Sequence, residues 1–238
     1  MKILVFQHAA SEHPGSFRDV MKARGFAMQT VELDEGEAIP PLQGFDVLLV
    51  MGGPQDVWQT GKHPWLLDEM AAIKSWVEAG RPYLGVCLGH QLLAQALGGE
   101  AGRMTSPEVG MGTVEIVPDQ IFHGLPSLWP CLQWHGAEVK RVPEGAVRLA
   151  SSSACAIQAQ RWGNCAYGLQ FHVELTRTTT SEWGNLPEYK MALERVRGPG
   201  ALEVLAAEVE EQFAGLYGAA QTIFSNFIDI AEQALAPI

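Results

Sequence analysis

Cys87 has the setting in this chain that best suits covalent chemistry. It stands in Gly85-Val86-Cys87-Leu88-Gly89-His90-Gln91, where an apolar strand-like run, Pro82 to Val86, gives way at once to a helical pattern from about Leu88 to Leu97. A Gly-x-nucleophile-x-Gly sequence at a strand-to-helix junction forces a sharp turn that tolerates only small neighbours and holds the side chain out over a sheet edge. The partial positive charge of the helix N-terminus favours the thiolate, the reactive form of cysteine. The backbone N–H groups that follow point the same way and can cradle an oxyanion. A free cysteine is otherwise a small buried hydrophobe. That is the expectation for Cys131, Cys155 and Cys165, which lack this setting.

A thiol nucleophile needs a base that takes and returns protons, and a third group that orients the base. Of the seven histidines, His172 is best placed. It follows the strand-like run Ala166 to Phe171, and Glu174 lies two residues on, on the same side of an extended segment. The carboxylate can fix the imidazole in one tautomer and stabilise its charged form. A lone His-x-Glu is ordinarily a surface ion pair worth about 0–1 kcal/mol. At the C-terminal end of a sheet strand, where α/β sites gather, the pair reads as functional. His90 is too close to Cys87 along its helix to face it across a cleft and is expected to be structural. His8 and Glu12 fall in the loop after the first strand, on the same edge as Cys87, and ordinary structural roles are expected of them too. Met51-Gly52-Gly53-Pro54 ends another apolar run and so belongs to that edge. Its bare backbone lets a ligand approach closely. An N–H there, opposite that of Leu88, would be a second oxyanion donor; losing one such donor costs about 2.7–4 kcal/mol.

The elements that must hold these groups alternate. Lys2 to Gln7, Ala27 to Leu33, Asp46 to Met51 and Pro82 to Val86 read as strands, separated by helical patterns over Pro14 to Arg24 and Pro64 to Ala79 that each stop at glycine. Strands that are apolar on both faces imply a parallel sheet covered on both sides. Beyond residue 110 the rhythm changes. Gly112 to Val117, Val147 to Ala150, Ala156 to Trp162 and Cys165 to Phe171 are strand-like with little helix between them, and Trp162-Gly163-Asn164-Cys165 reads as a hairpin turn. After Thr176 only helical spacing remains, in Leu202, Leu205, Val209, Phe213 and Leu216 and again in Ile223, Phe224, Phe227 and Ala231. Thr179 with Glu182 has the spacing of a capping box. The expected class is therefore α/β, a doubly wound, mostly parallel sheet with antiparallel additions. Residues 1–175 form one domain, and 176–238 are a helical C-terminal extension of it.

Composition narrows the partners. The 238 residues are 47% hydrophobic and 18% charged, enough apolar material for a sizeable core. A net charge of -11 argues against nucleic acid and against an anionic membrane surface, both of which attract basic patches. The first residues, Met1 to Phe6, are too short an apolar run for a signal peptide, and no stretch is apolar and long enough to span a bilayer. Four widely spaced cysteines without a Cys-x-x-Cys pattern point to neither a disulfide framework nor a zinc site. A reducing cytoplasm is the expected location.

Taken together, Met51-Gly52-Gly53-Pro54, Gly85 to Gln91, Trp134-His135-Gly136 and Gly168-Leu169-Gln170-Phe171-His172-Val173-Glu174 come in the order found in a known family. Over residues 1 to 175 the chain resembles the class I (triad) glutamine amidotransferases, and among them the free-standing relatives of the glutaminase domain of GMP synthetase. The resemblance implies a flavodoxin-like fold, with Cys87, His172 and Glu174 as the triad. It implies that the N–H groups of Gly53 and Leu88 form the oxyanion hole, that Gln91 contacts the glutamine substrate, and that His135, Gly136 and Ala137 meet its α-amino and carboxylate end. It implies attack on a γ-carbonyl, loss of ammonia or an amine, a γ-glutamyl thioester and hydrolysis to glutamate, with no metal or organic cofactor. Two departures stand out. Val173 replaces a usual proline, a mild change because valine also holds an extended backbone. Ala137-Glu138 follows His135-Gly136 where an aspartate is more usual, which weakens the assignment of the substrate-end contacts.

Three functions compete on this pattern. One is a stand-alone hydrolase of glutamine or other γ-glutamyl compounds. Another is an ammonia-supplying subunit docked on a separate synthetase. The third is a silent binding protein on the same fold, which has no need of an intact triad. No Gly-rich phosphate loop ending in Gly-Lys-Ser/Thr is present, which leans towards the hydrolase. The expected partners are a small-molecule substrate and either a synthetase or a second copy of the chain.

Overall fold

The structure, a computed structural model, describes residues 1–236; residues 237–238, the end of the expected extension, lie outside the described residues. Short runs that are apolar in both directions build its centre. Strands β1 (Lys2–Gln7), β3 (Val47–Val50), β4 (Tyr83–Val86) and β9 (Ala166–Leu169) are buried along almost their whole length. Such strands cannot face water on either side and pair in parallel under helices. With β2 (Ala27–Glu32) they run in the order β2-β1-β3-β4-β9.

Helices cover both faces. On one face α2 (Trp65–Glu78) and α3 (Leu88–Ala96) set Leu66, Ile73, Trp76, Leu92 and Leu93 against Leu4, Phe6, Leu48 and Val50. On the other, α1 (Phe17–Ala23) and the long α6 (Ala201–Leu235) meet Ile3, Val5, Val47 and Leu49 through Phe17, Val20, Phe224 and Phe227. Phe17 and Phe224 stack with centroids 4.5 Å apart. The two helical stripes expected after residue 200 are thus one continuous 35-residue helix. No helix among the described residues is long and apolar enough to cross a membrane.

Beyond β9 the sheet continues antiparallel through β8 (Ala159–Trp162), β7 (Ala146–Ser151), β5 (Glu100–Ile116) and β6 (Leu128–Arg141). The β8–β9 hairpin turns at Gly163, whose φ of +58° suits glycine. Strand β5 begins twelve residues before the expected Gly112, and β6 has no counterpart among the expected strands. A break in register between Arg103 and Glu108, with Pro107 inside it, hides the period in β5. Thr179 and Glu182 do not form a capping box. Helix α4 (Thr179–Trp183) starts after Thr178, and the Thr179 hydroxyl accepts the Thr176 N–H at 2.9 Å instead. Helix α5 (Pro187–Arg197) follows with proline in its first turn. The carboxyl ends of β1, β3, β4 and β9 share one edge, where loops of an open α/β sheet build their sites.

Candidate active site

Cys87 is the turn itself. Its φ of +50° and ψ of -101° make it the one non-glycine residue with positive φ among the described residues. Such a conformation costs on the order of 1–3 kcal/mol and persists only where the surroundings fix it. They do so here on three sides. The Cys87 N–H donates to Leu169 O at 2.7 Å and the Gly89 N–H to Met51 O at 3.2 Å. A Cβ on Gly85 would stand 2.5 Å from the Gly89 carbonyl, and one on Gly89 would collide with Val50 O. Both glycines are therefore required by close approach of backbone. The thiol sits at the N-terminus of α3 and borders a cleft of about 140 Å³.

His172 and Glu174 stand as a buried pair beside it. The Nδ1 of His172 and Oε1 of Glu174 are 2.7 Å apart, and Glu174 Oε2 accepts the Val173 N–H at 2.9 Å. The His172 N–H donates to Leu132 O at 2.9 Å, which ties this segment to β6. The His172 Nε2 is buried and makes no hydrogen bond of ordinary geometry. Burial alone would depress this imidazole's pKa. The Glu174 carboxylate and the nearby Cys87 sulfur more than offset that and hold it well above the usual histidine value. The arrangement offers a nucleophile, a base with one free nitrogen, and an orienter on the other nitrogen.

The remaining expected residues collect on the same cleft. It is lined by Gly53, Leu88, Gln91, His135, Gly136 and Ala137. A Cβ on Gly53 would lie 3.0 Å from Leu88 Cδ2, so the Gly52-Gly53 turn packs against the Leu88 side chain. Leu88 opens α3, where an N–H has no acceptor within the helix. Gln91 Nε2 donates to Ala137 O (3.3 Å) and Gln170 Oε1 (3.1 Å), and Gln170 Nε2 reaches the Cys87 sulfur at 3.5 Å. The His135 ring is itself occupied, by Ala137 O at 2.9 Å and Gln133 Oε1 at 3.0 Å. It can shape the backbone of this wall more readily than bind substrate directly.

Four groups, two of them expected to be structural and two not marked out by the residue pattern, complete the site. His8 bridges Gly52 O and Glu69 Oε1, each at 2.8 Å, and pins the Gly52-Gly53 turn. Glu12, buried, accepts from the Tyr189 hydroxyl. Trp183 lies edge-on to His172 with centroids 4.5 Å apart and donates to Ser11 O at 3.1 Å. Tyr189 lines the cleft beside Cys87. His8 and Glu12 already fell on the right edge, which was the available signal; nothing local distinguishes Trp183 or Tyr189. His90 is structural, as expected: its ring is buried against Ile157 O at 3.2 Å and Gln160. Cys131, Cys155 and Cys165 are buried thiols whose pKa values burial raises. A wider groove of about 820 Å³, lined in part by Asp119, Arg161, Cys165 and Tyr167, lies at the opposite ends of β4 and β9, away from Cys87, His172 and Glu174.

Known proteins resemble this chain in sequence and in fold. Residues 16–183 match the family "Glutamine amidotransferase class-I". One of the subunits of the glutamine-hydrolyzing GMP synthase of Sulfolobus acidocaldarius is 36% identical over 154 residues, 63% of this chain and 79% of that protein. The glutamine amidotransferase-like protein YfeJ of Salmonella typhimurium is 30% identical over 184 residues, 74% of this chain and 77% of that one. The crystal structure of a glutamine amidotransferase from Thermotoga maritima superposes with a TM-score of 0.87 at 27% identity, covering 96% of this chain and 98% of that one. A match over most of the chain, on a flavodoxin-like sheet with a cysteine elbow at its active edge, has one consequence: the chain belongs to the class I glutamine amidotransferases, as a relative of the glutaminase domain of GMP synthase.

Proposed function

We propose that the protein hydrolyses the γ-amide of glutamine, or of another γ-glutamyl compound, through a thioester on Cys87. The observation that carries this reading is the free, buried Nε2 of His172 next to a cysteine held in a strained elbow, with Glu174 on the opposite ring nitrogen. The Cys87 thiolate attacks the γ-carbonyl carbon. The resulting oxyanion is taken by the N–H groups of Gly53 and Leu88. His172 gives its Nε2 proton to the nitrogen, the C–N bond breaks, and ammonia or an amine leaves. A water then attacks the thioester, His172 takes its proton, and the thiolate departs from glutamate. Gln91 and the His135–Ala137 segment bound the substrate's α-amino and carboxylate end. Side chains of this chain supply every proton movement, so the scheme invokes no cofactor.

We further propose that residues 1–175 form the amidotransferase domain and 176–238 an extension of it, because Trp183 and Tyr189 wall the same site. That completed wall favours a stand-alone hydrolase. Relatives that are each one subunit of a GMP synthase favour the second reading, a glutaminase that feeds a separate synthetase. Four buried free thiols suit a reducing cytoplasm. Ammonia release from glutamine by the purified chain, set beside amine release from γ-glutamyl peptides, separates the readings. Turnover by the chain alone supports the hydrolase; turnover only with an added synthetase supports the second reading. Unchanged turnover in Cys87→Ala would remove the nucleophile assignment altogether.

A further inference from the structure

A second carboxylate stands against the imidazole of His172. Glu12, in the loop after β1, is wholly buried; its Oε1 accepts from the Tyr189 hydroxyl, and its Oε2 has no partner among the described residues. The bare α-carbon of Gly52 makes the room. A Cβ there would collide with Glu12 Oε2 and lie 3.3 Å from His172 Cε1. One ligand atom each from Glu12, His172 and Glu174 all fall within 4.8 Å of one another. A buried carboxylate oxygen without a donor is expensive unless a cation is near. The imidazole of His172, with its unpartnered Nε2, is the group at hand to supply one.

We propose that Glu12, clamped by Tyr189, is a positioning residue that keeps His172 protonated beside the Cys87 thiolate, and that it makes the helices after residue 176 part of the catalytic machinery. This rests on the assignment of Cys87 and His172 given above. The groups that face Glu12 are His172 and Glu174 from beyond β9, Tyr189 from α5, and His8 from the end of β1 with Glu69 of α2 behind it. Glu12 stands at about 7, raised chiefly by burial and also by Glu174, against the opposing pull of His172, the Tyr189 hydrogen bond and His8. Its support for the imidazolium is therefore present above about pH 7 and fades as pH falls through that value. The Tyr189 hydroxyl favours the charged form, so without it Glu12 stays neutral to higher pH.

The test is the pH profile of kcat and KM for glutamine hydrolysis from about pH 5.5 to about pH 9.5, with Cys87 alkylation by iodoacetamide followed over the same range. Glu12→Gln keeps the shape and an acceptor for Tyr189. It is expected to lower kcat about ten- to a hundredfold at alkaline pH with KM nearly unchanged, and to abolish the ionisation near neutrality. Tyr189→Phe is expected to move that ionisation up by about one pH unit, so that its deficit at pH 7 disappears at high pH. Glu12→Asp should restore part of the activity and the ionisation. A Glu12→Gln enzyme with an unchanged profile, or with kcat lowered equally at every pH, would overturn the proposal. An unreactive Cys87 in the native enzyme would instead overturn the nucleophile assignment, and the alkylation arm tells the two failures apart. If Glu12→Gln does not fold, judged by its melting transition, Glu12→Asp and Tyr189→Phe decide the matter by the same ionisation.

Discussion

Two of the imidazoles sealed inside this protein close to Cys87 hold protons very differently. His90 lies three residues along α3 from Cys87, His172 across the site from it, and each is 1% exposed or less. Around His90 the partners are carbonyls and an amide: Ile157 O at 3.2 Å and the Gln160 side chain. Carbonyl contacts offset only part of the cost of burying a cation, and no carboxylate helps them, so burial pushes His90 down to about 3. Around His172 the same burial meets Glu174 and the Cys87 sulfur, and the ring is held well above its ordinary value. Depth is equal; the charge of the partner decides which histidine can carry a proton at neutral pH. The proposed roles separate accordingly, with a strut that stays neutral above about 3 on one side of the helix and a proton carrier on the other.

The sharpest way to break this contrast is His172→Asn. It keeps a polar side chain but removes the base, and kcat should fall on the order of 10⁴-fold or more with KM little moved. Steady-state ammonia release measures it; a change confined to KM would take His172 out of the proton-transfer role. Glu174→Gln leaves the imidazole without its carboxylate and makes its surroundings resemble those of His90. A fall in kcat of roughly 10²–10⁴ is expected, together with a lower His172 pKa by NMR titration. If that titration stays where it is in the native protein, the partner's charge is not what separates the two rings.

Glu12→Gln tests the contrast through stability. A carboxyl that titrates at about 7 when folded, against an ordinary 4.5, binds its proton more tightly in the folded state. Folding stability is then lost as pH rises from about 4.5 through about 7. The variant escapes that loss. It should be more stable than the native protein by about 3 kcal/mol at pH 8, with the gap closing towards pH 4.5 in urea titrations. The same substitution lowers activity in the proposal above. A protein that gains stability by losing a buried carboxylate is what a strained active site would show.

How much of this is legible in the sequence follows from range. The elbow at Cys87 is local: Gly85, Gly89 and the junction of an apolar run with a helical one lie within five residues. His172 and Glu174 are legible for the same reason, since a period of two puts both on one side of an extended segment. The parallel half of the sheet announces itself by doubly buried strands. Strand β6 does not, because Pro130 and Gly136 interrupt it and its partner β5 is irregular between Arg103 and Glu108. The Glu12–Tyr189 bond joins residues 177 positions apart, and Trp183 reaches Ser11 across 172. No local pattern encodes such pairs. They exist because α4 and α5 fold back over the active edge.

The smallest expected effect is on the neutral side of the comparison. His90→Gln keeps a side-chain donor that can reach Ile157 O, and it should destabilise the fold by about 1–2 kcal/mol at neutral pH through lost packing and imperfect geometry. His90→Leu leaves that carbonyl without its partner and should cost about 1–3 kcal/mol more. In both variants kcat should stay within about threefold and its pH profile should not move, because a ring that binds no proton above about 3 contributes none. The pH dependence of stability carries the opposite sign to that of Glu12. With its folded pKa depressed, His90 contributes stability above about 6.5 that is lost as pH falls towards about 3. The deficit of His90→Gln should therefore shrink as the solution is acidified, whereas the gain of Glu12→Gln shrinks as well but from the other side of zero. Two buried groups, one too ready to lose a proton and one too ready to keep it, would then bracket the stability of the same edge of the sheet. A deficit for His90→Gln that stayed constant from pH 7 to about pH 5 would mean that His90 is not held neutral by burial, and the division between strut and carrier would fail at its quieter end.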